Sequence, residues 1–262
     1  MRIKGEEILI ETKIYGHRGS KGTHPENTLI SFKEAIKHGV DGLEIDVHMT
    51  KDQEIVVIHD ETLDRTTNGN GFIKDYSLQQ IKQYSVGTKF THLEEYDENW
   101  ELERVPTLQE VLELLSPYNI ELNIELKTTK FTYEGIEEKV LSIVEKYGNG
   151  CNVIYSAFHF PTLLRIKNLD KSAKIAWLLD KSIPHPNDYI ECMNLEALHL
   201  EKSIILSDST KWKDYFRRMR AWTVNESSEI KDLLDLNIES IITDFPKEAI
   251  RLRNEKKSYQ RS

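Results

Sequence analysis

Short runs in which apolar residues fill successive or alternate positions recur along the chain, at 13–17, 42–48, 55–59, 120–127, 152–156, 174–178, 197–200, 220–224 and 240–243, and each predicts a β-strand. Between them apolar residues fall three and four apart, at 27–38, 108–115, 133–147, 161–168, 187–194, 209–216, 227–235 and 246–253, the spacing of helices with one buried stripe. Helix-start signals support several of these: Asn27 before Thr28, Thr107 with Glu110 three residues on, and Pro246 in a first turn. About eight strand–helix units in ~250 residues predict a (β/α)8 TIM barrel. The competing doubly wound sheet loses its main support, because neither G-x-G-x-x-G nor G-x-x-x-x-G-K-[ST] follows any strand.

One stretch breaks the alternation. Residues 60–105 are polar, hold Gly69, Gly71 and Gly87, and carry the acidic run Glu94-Glu95-Tyr96-Asp97-Glu98. A structureless loop of that length is uncommon in a compact domain, so the stretch is expected to be an insertion with structure of its own. It leaves directly after His59, at the carboxyl end of a strand, where loops of a barrel set specificity. Its acids are placed to attract a cationic alcohol, and a solvated face is the plainer alternative. The expected organisation is one domain over 1–262, with the barrel over 13–250 and the insertion at 60–105 after the second barrel strand.

Composition adds exclusions. A chain that is 39% hydrophobic and 30% charged folds as a globular protein. No apolar run reaches the ~18 residues of a membrane-spanning helix, so no transmembrane segment is expected. Charges interrupt residues 1–7 before a secretory signal could build, which makes the cytoplasm the expected compartment. Lys and Arg number 35 against 44 Asp and Glu, and the net charge of −9 argues against nucleic acid as a partner. A small anion stays open, because a few cations or one metal ion set the field inside a cleft. Cys151 and Cys192 sit in no metal-binding spacing and predict two thiols, no disulfide and no zinc.

Strand alternation brings out the chemistry. Along 43–48, Glu44, Asp46 and His48 share one face while Leu43, Ile45 and Val47 share the other. Along 120–127, Asn123, Glu125 and Lys127 oppose Ile120, Leu122, Ile124 and Leu126. Two strands therefore aim acids at the barrel lumen, where isolated carboxylates are costly unless something positive neutralises them. Glu44, Asp46 and Glu125 make a hard, all-oxygen set suited to Mg²⁺, Ca²⁺ or Mn²⁺ rather than zinc, the alternative being an ion network with Arg18 and Lys127. His17 and His59 close strands and are candidates for proton transfer. The other seven histidines are assigned structural places. Arg18 and Lys127 beside the acids imply an anionic substrate, phosphate being the economical choice. Trp222, which shares a face with Val224 at the end of 220–224, is a candidate pocket wall, a core position being the plainer alternative.

The ordered set His17-Arg18-Gly19, Pro25-Glu26-Asn27-Thr28, Glu44-x-Asp46 with Thr50 and Asp52, His59-Asp60, Leu63-Asp64-Arg65-Thr66-Thr67 with Gly69, Glu125-Leu126-Lys127, Trp222-Thr223-Val224-Asn225 and Thr243-Asp244-Phe245-Pro246 resembles the glycerophosphodiester phosphodiesterases over residues 13 to 250. The resemblance implies a phospholipase C-like barrel with a family insertion after the second strand. By the family pattern, His17 and His59 are the acid/base pair, Glu44, Asp46 and Glu125 hold one divalent cation, Ca²⁺ or Mg²⁺, and Arg18 and Lys127 contact phosphate. The implied substrate is a small glycerophosphodiester, cleaved to glycerol 3-phosphate and an alcohol by water or by a neighbouring glycerol hydroxyl. A lysophospholipase D and a non-catalytic phosphodiester-binding module are the alternatives.

Overall fold

The structure, a computed structural model, describes residues 11–261, with side chains through 258; the charged stretch 1–7 lies outside the described residues. Nine strands share one sheet: β1 (Lys13–His17), β2 (Gly42–Met49), β3 (Ile55–Val57), β4 (Glu121–Leu126), β5 (Asn152–Ala157), β6 (Lys174–Leu179), β7 (Ala197–Glu201), β8 (Met219–Trp222) and β9 (Ser240–Thr243). All but β3 run parallel, and β1 pairs with both β2 and β9, which closes an eight-stranded barrel. The outer layer comprises α1 (Leu29–Lys37), α2 (Leu78–Ile81), α3 (Leu108–Leu115), α4 (Ile136–Tyr147), α5 (Phe160–Leu169), α6 (Pro186–Cys192), α7 (Lys202–Ser207), α8 (Ser209–Trp212), α9 (Ser227–Asp235) and α10 (Pro246–Arg261). Among the described residues no helix is long and apolar enough to cross a membrane.

β2 is buried along its whole length, and its two faces meet different surroundings. Leu43, Ile45 and Val47 join one apolar layer with Phe32 and Ala35 of α1 and Val111, Leu112 and Leu115 of α3. Each such side chain contributes about 1.5–3 kcal/mol by leaving water. Glu44, Asp46 and His48 project into the lumen instead. Lower in the lumen, Ile154, Ala176 and Ala197 form a small apolar plug. Tyr15 is bonded there to Glu121 and Arg220, and its ring fits because Gly42 lies opposite; a Cβ at Gly42 would stand 2.7 Å from that ring.

Residues 55–59 read as a barrel strand in the sequence, and here the structure differs. β3 lies antiparallel on β2, outside the ring. A parallel return needs a crossover of a dozen or more residues, whereas the link 50–54 permits only a hairpin, tied by Thr50 N–H to the Glu54 carbonyl and Gln53 N–H to the Thr50 carbonyl. The 209–216 helix is also resolved differently, into α8 followed by a 3-10 stretch, Lys213–Arg218, with Asp208 accepting from Lys211 N–H at its start. Asn27 does not cap α1. Thr28 does, accepting from Ser31 N–H, while Asn27 takes a positive φ and turns inward.

Residues 60–105 carry α2 and three 3-10 turns, Ile73–Asp75, Gly87–Lys89 and Glu98–Leu102. Leu63, Ile73, Ile81, Val86, Phe90, Trp100 and Val105 pack with Val56 and Ile58 into a core separate from the main one. The acids of the run 94–98 are exposed; Asp97 caps the third turn, and Trp100 packs 4.9 Å from His24.

Candidate active site

The register around β2 assembles the site. β1 flanks the lower part of β2, ending at His17 opposite Glu44. Above that point β3 flanks it, with Val57 opposite Val47, and Ile58 N–H then donates to the Asp46 carbonyl at 3.0 Å. His59 is thus delivered by a strand descending toward the mouth, not by the rising end of a barrel strand. On the other edge β4 places Glu125 opposite Asp46. Two histidines and three acids converge on one strand end.

Glu44, Asp46 and Glu125, all buried, offer carboxylate oxygens within 4.8 Å of one another. Burial raises the Glu44 carboxyl well above its usual value, and the charges of Asp46 and Glu125 push the same way. Burial also raises Glu125, with Lys127 opposing and Asp46 adding. Against burial, Arg18 and Lys127 hold Asp46 well below the usual range. The ion network exists: Lys127 Nζ lies 2.8 Å from Glu125 Oε1 and 3.6 Å from Asp46 Oδ1, and Arg18 Nε lies 3.2 Å from Asp46 Oδ2. It does not neutralise the site. Among the described residues three carboxylates face two cations, Arg18 is shared with Glu26, and buried Asp46 Oδ1 has no hydrogen-bond partner. Among them too, Glu44 accepts from the Arg18 backbone N–H at 3.1 Å, with His17 Nε2 standing 3.9 Å away. A divalent cation fits this oxygen-only cluster, supplying the missing charge and a partner for the orphaned oxygen.

Each histidine is backed by a carboxylate. His17 Nδ1 donates to Asp244 at 2.6 Å, and His59 Nδ1 donates to Asp60 at 2.7 Å. A carboxylate only accepts, so both rings carry a proton on Nδ1 and turn Nε2 to the site. Burial pulls His17 below the usual histidine pKa, with Asp244 opposing. Hydrogen bonds outweigh burial at both acids, from His17 at Asp244 and from His59 and Arg65 at Asp60, holding them well below the usual range. Asn225 fixes Asp244 in turn, through its Nδ2 at 2.8 Å and by accepting the Asp244 backbone N–H at 3.0 Å. Asp244→Asn should therefore lower kcat about 10- to 100-fold at an unchanged melting temperature, because the amide tolerates the wrong tautomer of His17. Steady-state kinetics with wild-type turnover in that variant would remove the orienting role.

His48, assigned a structural place from the sequence, does more. It is fully buried, with Nε2–H donating to the His59 carbonyl at 3.0 Å and Nδ1 accepting from Tyr133 Oη at 2.9 Å. Burial brings its pKa down to about 4, so the ring stays neutral and pins the main chain of His59. Trp222 faces the lumen side of β8, two residues beyond Arg220; its Nε1–H donates to the His199 carbonyl at 2.9 Å, and its ring stands edge-on to Phe158 at 5.5 Å. Val224 does not share that face. β8 ends at Trp222, the alternation ends with it, and Val224 packs in the main apolar layer. Phe158 carries no mark in the sequence, while Asp60, Asp244, Glu26, Asn27, Arg65 and Asn225 stand in the resembling motifs with no site role assigned to them. Asp60 had a local signal, directly following His59; Asp244 lies 227 positions from the ring it holds.

A model of the glycerophosphoryl diester phosphodiesterase family matches residues 17–248. The chain belongs to that family. A glycerophosphodiester phosphodiesterase of Bacillus altitudinis is 37% identical over 254 residues, covering 94% of this chain and 100% of its own. One from Caldanaerobacter subterraneus subsp. tengcongensis is 36% identical over 244 residues, covering 93% of this chain and 98% of its own. Among solved structures, an Oleispira antarctica phosphodiesterase in complex with the product sn-glycerol-3-phosphate superimposes with a TM-score of 0.81 at 26% identity, over 93% of this chain and 97% of that one. The phosphodiesterase match begins at His17 and takes in every site residue named above.

Proposed function

We propose that the chain is a metal-dependent glycerophosphodiester phosphodiesterase that hydrolyses its substrate to sn-glycerol 3-phosphate and an alcohol. The observation that supports this best is the pair of His–Asp dyads facing a three-carboxylate cluster at one barrel mouth. Glu44, Asp46 and Glu125 would hold the cation, Ca²⁺ or Mg²⁺. When bound, it supplies Lewis-acid stabilisation of charge on the phosphate oxygens.

The chain's own residues handle the protons. One of His17 and His59, its Nε2 unprotonated, takes the proton of the attacking water or glycerol hydroxyl; the other enters as imidazolium and gives its Nε2 proton to the leaving alcohol, and where the hydroxyl attacks, water then opens the cyclic phosphate to glycerol 3-phosphate. Asp244 and Asp60 stabilise the imidazolium on whichever ring carries it. Arg18 and Lys127 contact the phosphate, already held in place by Glu26 and Glu125. Trp222, with Phe158 edge-on to it, would wall the substrate pocket.

The test is product release from glycerophosphocholine, read by separate assays for glycerol 3-phosphate and phosphocholine, with the cation present and after chelation. Glycerol 3-phosphate with choline is expected. Phosphocholine with glycerol would assign cleavage to the other ester bond, and no product from any glycerophosphodiester would leave a binding module.

A further inference from the structure

Two segments of the resembling set, Pro25-Glu26-Asn27-Thr28 and Leu63-Asp64-Arg65-Thr66-Thr67, supply no acid, base or metal ligand in the chemistry above, yet they meet in the fold. Arg65, from the insertion, makes four hydrogen bonds to two carboxylates. Its Nε and Nη2 reach Asp60 Oδ2 and Oδ1 at 2.7 and 2.8 Å, and its Nη1 and Nη2 reach Glu26 Oε2 and Oε1, both at 2.8 Å. Glu26 is 4% exposed, and its Oε1 also accepts from Arg18 Nη1 at 2.8 Å. Asp60 Oδ1 is the atom that holds His59 Nδ1, and Arg18 is the cation that touches Asp46. One continuous line of charged contacts runs His59, Asp60, Arg65, Glu26, Arg18, Asp46.

We propose that Arg65, anchored on Glu26, is a positioning residue that sets the Asp60–His59 dyad, so that the insertion completes the active site. The inference rests on the reading of His59 as a proton-transfer group. An exposed ion pair contributes little to stability, and the Arg65 side chain is about half exposed, so its value lies in geometry. Asp60 is itself partly exposed and can rotate toward water. Two parallel N–H bonds fix the plane of its carboxylate and hence the direction of Oδ1 toward His59. Glu26 is buried and tolerated because two guanidiniums share it, and it anchors the far edge of the Arg65 fork. Lysine, a point charge with no fork, cannot span both carboxylates.

The test is a double-mutant cycle on kcat and KM for glycerophosphocholine, with melting temperatures as a folding control and His59→Ala as reference. Arg65→Lys should lower kcat about tenfold in the wild-type background while the protein melts near the wild-type temperature. In the Asp60→Asn background the same change should cost less than about twofold, because both substitutions break one line of contact. If Arg65→Lys fails to fold, Arg65→Ala with added guanidinium ion is read in its place. Rescue of kcat that disappears when Asp60→Asn is also present supports the proposal. Equal losses in both backgrounds, rescue that persists without Asp60, or a lowered melting temperature with unchanged kcat would each overturn it. Wild-type turnover by His59→Ala would remove the reading beneath the proposal, whereas inactive His59→Ala beside an indifferent Arg65→Lys removes the proposal alone.

Discussion

Stripping the divalent cation with EDTA should reduce turnover of glycerophosphocholine by at least about 10³-fold, several kcal/mol being what a metal supplies to a phosphoryl transition state. Glu125→Gln should come close to the same loss. The amide keeps the shape of the side chain, but the cluster of Glu44, Asp46 and Glu125 then lacks one of the charges that hold the ion. The substitution also leaves Lys127 Nζ, 2.8 Å from Glu125 in the native chain, with Asp46 as its remaining carboxylate partner, which draws Asp46 further from a metal. Add-back separates the two effects. Ca²⁺ or Mg²⁺ should restore the dialysed wild type and raise its melting temperature, while Glu125→Gln responds to neither in the same range. Full activity after exhaustive dialysis against chelator would refute the assignment of all three ligands.

His17→Ala and His59→Ala should each lower kcat by ~10²–10⁴, the usual contribution of one proton-transfer group. KM should change far less, because Arg18 and Lys127, the proposed phosphate contacts, remain. The double variant should be little slower than the worse single one, since groups that act in one step do not contribute additively. A single variant that keeps more than about a third of wild-type kcat would return that histidine to a structural part. For His59 the outcome also bears on His48, whose ring donates to the His59 carbonyl.

The barrel was legible in the sequence because its strands obey a period of two over several residues. Along β2 and β4 the same period that buries Leu43, Ile45 and Val47 under helices turns Glu44, Asp46, Asn123 and Glu125 inward, so the acids could be read together with the fold. Direction was not legible. Ile55-Val56-Val57 looks alike in a parallel or an antiparallel strand, and only the brevity of the link 50–54 distinguishes them. Asn27 carries the composition of a helix cap, yet its side chain donates to Asp46 at 2.9 Å, a tertiary bond that overrides the local signal. Asp244 and Glu26 left no periodic trace, because a residue that orients another needs only to arrive within hydrogen-bond distance, from any position in the chain.

The two histidines are held by different parts of the molecule. His17 ends β1, a strand locked between β2 and β9 in the closed ring. His59 follows β3, three residues hooked over the edge of β2 and tied on its other side by an isolated bridge to Thr107. The side chains there are buried, Ile55 and Val57 in the main apolar layer and Val56 and Ile58 in the core of the insertion, so His59 is placed by the seam between the two cores. A cavity opened on either side of that seam should therefore move His59 and leave His17, held by the closed ring, in place.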